Sequence, residues 1–183
     1  MTGTFIAELV SRFTALEAEL NKLDAATGDG DHGTTILRGL KAAAATDGPA
    51  AKAFRMASGG ASGSLFGFLI GAIEAAESRS LTLGEALSDA ADRISQAGQA
   101  RAGDKTMLDA LIPAAAAALA DPDNATAASA KAALSGLAAT KAMLAKRGRA
   151  KYVEGGGVGH LDAGATSVVE ILTALDAHAP GSL

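Results

Sequence analysis

Within 28-GDGDHGTT-35 the chain sets two aspartates, a histidine and three glycines in six consecutive positions, and with Asp24 three carboxylates fall within eight residues. Close carboxylates repel by about 4 kcal/mol per pair at ~4 Å and an effective dielectric of about 20. A cation between them removes that cost; a solvated loop that caps helices is the other reading of the same residues. Oxygen ligands with no cysteine and few histidines favour magnesium or calcium over zinc. A calcium loop started at Asp29 would need glycine where Thr34 stands and glutamate where Leu40 stands. Magnesium, which keeps several waters and shares its coordination with phosphates, fits better.

His32, Thr34 and Thr35 follow at once, where a helix resumes, and the exposed N–H groups and dipole of a helix start attract anions. Metal carboxylates beside an anion site suggest a Mg-bound polyphosphate. The stretch 59-GGASGS-64 repeats the logic with small residues and the Ser62 hydroxyl, and 103-GDKTM-107 adds an aspartate, a lysine and a threonine at another helix start. There is neither a Walker lysine pattern nor a dinucleotide fingerprint after a strand, so a nucleotide would be held in a non-Rossmann way.

These loops must be held by helices. Hydrophobic residues make up 49% of the chain but aromatics only 3%, and alanine dominates, which suits close helix packing rather than a sheet. A net charge of −4 argues against nucleic acid as a partner. The absence of cysteine excludes disulfides and thiol catalysis. No basic segment followed by a long apolar core opens the sequence, so a cytoplasmic protein is expected. The apolar run 61-ASGSLFGFLIGAI-73 is too short to cross a bilayer, and Gly63, Gly67 and Gly71 form a ridge that lets another backbone approach.

Periodicity predicts helices from Phe5 to about Asp24, over 32–45, over about 49–57, over the apolar run, from a capping box at Thr82 and Glu85 to about Gly98, over 107–120, over about 124–147, and from Thr166 to His178. Pro113 should kink the sixth or mark its first turn. The expected fold is all-α, with about eight helices and no strand, in one domain spanning 1–183.

In order, 23-LDAATGDGDHGTT-35, 59-GGASGSLFG-67, 103-GDKTMLDAL-111, 148-GRAKY-152 and 159-GHLDAGATS-167 resemble the nucleotide-binding L subunit, or L domain, of dihydroxyacetone kinases. The resemblance implies a barrel of eight amphipathic antiparallel helices with ADP or ATP bound at one end through two magnesium ions. Carried over, Asp24, Asp29 and Asp31 would be the metal ligands. His32, Gly33, Thr34 and Thr35 would contact the nucleotide, with Ala61 and Ser62 near the phosphates. Gly103, Thr106 and Met107 would line the pocket, and Arg149 and Asp162 would close it. Three positions depart from the family pattern: Lys151 replaces a serine, 153-VEGGG-157 lacks a second arginine, and Ala163 replaces a proline.

The implied function is half an enzyme, in which this chain supplies the phosphoryl donor and a separate K subunit holds dihydroxyacetone or a related short ketose. The donor would be exchangeable ATP, or a resident ADP recharged by a phosphotransferase-system protein, the M subunit; a homodimer is compatible with either. The competing reading is a nucleotide-loaded regulatory module that does not turn over.

Overall fold

The apolar stripe that starts at Phe5 forms helix α1, Gly3–Ala25, and buries Phe5, Ile6, Leu9, Phe13 and Leu20. The computed structural model describes residues 3–179. Seven further α-helices follow: α2 His32–Ala44, α3 Ala50–Ser58, α4 Gly60–Glu77, α5 Leu83–Gly98, α6 Leu108–Ala120, α7 Ala125–Thr140 and α8 Ala163–His178. Short 3-10 turns lie at Pro122–Asn124, Arg149–Tyr152 and Glu154–Gly157, and the described residues contain no strand. No helix among them is long and apolar enough to cross a membrane.

Each helix packs on its neighbours in sequence, and α8 returns to α1, so the ring closes into a barrel. The seam is antiparallel, because Arg12 donates to Glu170 at 2.7 Å while Thr4 and Glu8, near the start of α1, meet His178 at the end of α8. Leucine, isoleucine, phenylalanine and many alanines fill one continuous core. Alanine lets the helices come close at little side-chain entropic cost.

The glycine ridge of α4 receives α3. A Cβ at Gly67 would overlap the Arg55 side chain, and one at Gly63 would stand 3.0 Å from Ser58. The capping box forms as expected: Thr82 accepts from the Glu85 N–H, and Glu85 accepts from the Thr82 N–H at 2.8 Å. Pro113 lies inside α6. It leaves the Asp109 carbonyl without its intrahelical donor, and that carbonyl faces α7 at Gly136.

Two boundaries differ from expectation. Helix α7 ends at Thr140 rather than near 147: the chain tightens into i+3 bonds there, with the Thr140 carbonyl accepting the Met143 N–H at 3.1 Å as well as the Lys105 ammonium from outside the helix. Helix α8 begins at Ala163 rather than Thr166, because Asp162 caps it by accepting the Ala165 N–H at 2.7 Å.

The closeness of α6 and α7 gives a test. A Cβ at Gly136 would overlap the Asp109 carbonyl oxygen, a backbone atom with no rotamer to yield. Gly136→Ala is expected to cost about 1–3 kcal/mol or more despite its better helix propensity, read as a lower urea midpoint. An unchanged midpoint would mean that the two helices are not held this closely.

Candidate functional site

Helices α2, α4, α6 and α8 all begin at one end of the barrel, where the first turns of α2, α4 and α8 and the residues 105–107 just before α6 line a pocket of about 490 Å³. Four positive dipole ends therefore converge on it, although several first-turn N–H groups are already taken: Leu108 donates to the Thr106 hydroxyl, Thr34 to Asn21 and Ala165 to Asp162. The loop from Asp24 to Asp31 forms the opposite wall.

That loop is built around the Asp24 side chain. Its Oδ2 accepts the N–H groups of Gly30 at 2.8 Å and Asp31 at 3.1 Å, folding the chain back over the end of α1. Gly28 has no room for a side chain, since a Cβ there would overlap Asp24 Oδ1, and Gly30 takes a positive φ of 78°. One carboxylate oxygen from each of Asp24, Asp29 and Asp31 lies within 4.8 Å of the others. Asp24 is half-buried and the other two are exposed. An all-oxygen, triply negative set suits a hard cation. Arg149 reaches over from the far loop and pairs with Asp29.

The remaining sequence candidates divide. His32 lines the pocket buried, with Nε2 2.8 Å from Ser167 Oγ and its ring against Phe66. Burial holds its pKa below the usual value, against the opposing pull of Asp24 and Asp31. Thr35, Ala61, Ser62, Thr106, Met107, Arg149 and Asp162 line the same space. Gly33, Thr34 and Gly103 do not. Thr34 turns toward α1, where its hydroxyl donates to Glu17 at 2.8 Å and accepts from Asn21 at 2.9 Å. Gly33 lets α2 approach α1, since a Cβ would overlap the Glu17 carbonyl. Gly103, with φ 85°, donates to Asp109 and shapes the turn behind the wall.

Several residues in and behind the pocket wall have roles that the sequence alone does not show. Arg38 donates to the carbonyls of Ala57 at 2.9 Å and Ser58 at 2.7 Å, capping α3 and fixing the glycine turn that opens α4. Its sequence signal is only a cation on the second helix. Asp109, buried, accepts the N–H groups of Gly103 at 2.5 Å and Thr106 at 2.8 Å and so holds the whole 103–106 turn. Asp104, also buried, faces Lys146 at 3.9 Å and Arg147 at 3.7 Å, which brings the basic 146–149 segment to the rim. Lys105 lines the pocket as well.

A model of the DAK2 domain matches residues 26–177, and all of the pocket except Asp24 falls inside that span. The chain belongs to the DAK2 domain family. Among DAK2-containing relatives, the ADP-binding subunit DhaL of the PEP-dependent dihydroxyacetone kinase of Escherichia coli is 37% identical over 89% of both chains. The D-erythrulose kinase of Mycolicibacterium smegmatis is 35% identical over 83% of this chain, which spans only 30% of that enzyme. The DAK2 barrel superposes on the dihydroxyacetone kinase of C. freundii with a TM-score of 0.74 and 27% identity, covering 97% of this chain and 34% of that one. The same enzyme has been solved with AMP-PNP and Mg2+.

One titration follows from the wall opposite the aspartates. Burial raises the Asp162 pKa from an ordinary 3.8 to about 6, although the bond from Ala165 and the charge of Lys105 pull it down. The folded protein therefore keeps this carboxyl protonated at pH values where the unfolded chain has released the proton. Its favourable contribution is complete below the unfolded value and is lost as pH rises through the folded one. Asp162→Asn keeps an oxygen for the cap and removes the titration. Measured by urea unfolding from about pH 4 to 7, the wild type should lose stability with rising pH relative to this variant; parallel curves would count against a neutral Asp162.

Proposed function

We propose that this protein is the nucleotide-binding, phosphoryl-donating component of a dihydroxyacetone-type kinase. The observation that carries the reading is the meeting, in one pocket, of three carboxylates and four helix starts. Either group alone would be ordinary. Together they suit a ligand that is both anionic and accompanied by a divalent cation, as a Mg-bound nucleoside diphosphate or triphosphate is. The names of the E. coli subunit and the AMP-PNP complex of the C. freundii enzyme support the same choice.

Bound magnesium would neutralise charge on the phosphates and hold them in line for transfer. Asp24, Asp29 and Asp31 would be its protein ligands, with Asp24 already fixed by the two N–H groups it accepts. The first turns of α2 and α4 would offer backbone donors to the phosphates, and the Ser62 hydroxyl would add one more. Met107 gives the pocket an apolar surface for a base, and Asp162 and Arg149 flank it from the later loops. Nothing in this set needs to form a covalent bond, in keeping with phosphoryl transfer by positioning and charge.

The acceptor would be dihydroxyacetone or a related short ketose presented by a K subunit, since relatives act on dihydroxyacetone and erythrulose by name. We favour a resident ADP recharged in place by a phosphotransferase-system protein. Relatives over whose length the chain extends almost fully are named ADP-binding subunits of PEP-dependent or PTS-dependent kinases.

Native mass spectrometry of the purified protein before and after long dialysis should find a persistent added mass of ADP and two magnesium ions. A protein that arrives empty and takes up Mg-ATP reversibly would instead be an ATP-dependent component, and one that binds no nucleotide would end this reading. Asp31→Asn is expected to weaken Mg-ADP binding about a hundredfold, roughly 2.7 kcal/mol, with an unchanged circular dichroism spectrum. Full affinity in that variant would remove Asp31 from the metal site.

A further inference from the structure

Lys105 is 2% exposed and has a backbone φ of 60°. That left-handed conformation is sterically unfavourable for a non-glycine residue. Among the described residues no carboxylate pairs with its ammonium. The ammonium instead donates to two backbone carbonyls, Thr140 at 2.6 Å and His160 at 2.6 Å. These carbonyls lie 35 and 55 residues along the chain, one at the end of α7 and the other just before α8.

The two acceptors belong to one connected structure. Thr140 donates its hydroxyl to the Leu137 carbonyl at 2.7 Å, and the same oxygen accepts the Asp162 N–H at 3.1 Å. Gly159 donates to the Lys141 carbonyl at 2.8 Å. The loop also closes over the lysine stem, since a Cβ at Gly157 would stand 3.3 Å from Lys105 Cε and 2.6 Å from Thr27 of the aspartate loop. A single cation thus ties the start of α6, the end of α7 and the start of α8, and the first and last of these line the pocket. Burial lowers its pKa while Asp162 and Asp109 oppose that shift, so the charge is held by its neighbours.

We infer that Lys105 is a positioning residue for the nucleotide site: by clamping the Thr140 and His160 carbonyls it holds Asp162 and the first turn of α8 against Met107, forming the wall opposite the aspartates. The inference rests on the nucleotide-binding reading above. It differs from a contribution to stability alone in predicting that the loss falls on this wall and spares the rest of the barrel.

The test compares wild type, Lys105→Met and Lys105→Ala below their unfolding temperatures. Wild-type binding of Mg-ADP comes first, because its absence overturns the nucleotide reading itself. Lys105→Met should then bind Mg-ADP at least tenfold more weakly, with faster amide hydrogen exchange at 157–165 and unchanged exchange in α1 and α4. Propylammonium, which replaces the deleted atoms and charge, should restore affinity to Lys105→Ala, whereas propanol should not. If the lysine variants fail to fold, Thr140→Val removes the acceptor for the Asp162 N–H without changing shape and should weaken binding about threefold. Wild-type nucleotide affinity in a folded Lys105→Met or Thr140→Val, exchange that rises evenly over the barrel, or equal rescue by propanol would each overturn the inference.

Discussion

The structure depends on holding three aspartate charges together at a fixed distance from four helix starts. Unaided, the carboxylates would spread apart, at about 4 kcal/mol of repulsion per pair for ~4 Å spacing. The Asp24 side chain prevents this by accepting two N–H groups of its own loop, and the glycines at 28 and 30 exist in the forms that this bond requires. The barrel contributes the other half. Because its ring is closed from α8 to α1 and its even-numbered helices start at one end, their positive dipole ends face a shared space without any extended phosphate-binding loop.

Much of this is legible in the sequence, because the informative signals are local. The three-to-four-residue spacing marks the helices, Thr82 and Glu85 mark a capping box, and the crowding of Asp24, Asp29 and Asp31 marks the carboxylate cluster. What is not legible depends on partners far along the chain. Nothing between 141 and 147 announces a helix end, and the Thr140 carbonyl where α7 stops is shared between a tight turn and the distant Lys105. Thr34 reads as a pocket residue from its place at a helix start, yet Glu17 and Asn21 draw its hydroxyl to the outside. Gly33 and Gly103 sit in motifs that imply ligand contacts, whereas in the structure one spaces two helices and the other shapes a turn.

Arg38 and Lys105 make the same point from the opposite side. A lysine or arginine in a helical sequence is most simply a solvated charge; Arg38 belongs to no pattern with a mechanism, and the 103-GDKTM-107 turn that contains Lys105 does not show where its ammonium goes. Each is informative only once its acceptors are seen, and in both cases these include a backbone carbonyl at the end of another helix, Ser58 for Arg38 and Thr140 for Lys105. A cation is well placed at such an end, because the carbonyls there lack intrahelical donors and carry the negative end of the dipole. Both residues use one helix end to fix the turn that leads into a pocket-lining helix, α4 for Arg38 and α8 for Lys105.

The departure at 153–157 can be understood in the same terms. The segment lacks the second arginine that the resemblance to the kinase L subunits implies, and here Gly155, Gly156 and Gly157 all take positive φ. The segment is nevertheless anchored, since Ala145 donates to the Gly156 carbonyl at 2.9 Å and Gly159 donates to Lys141. A Cβ at Gly156 would meet Leu144, and one at Gly157 would meet Thr27 and Lys105. Backbone therefore fills the space that a longer side chain would need, and the loop lies directly on the lysine clamp. Arg149 remains as the basic group that reaches the aspartates, so closure on this side combines one exposed ion pair with a buried, hydrogen-bonded wall. Exposed pairs contribute little on their own, which leaves the buried wall as the part that sets the pocket's shape.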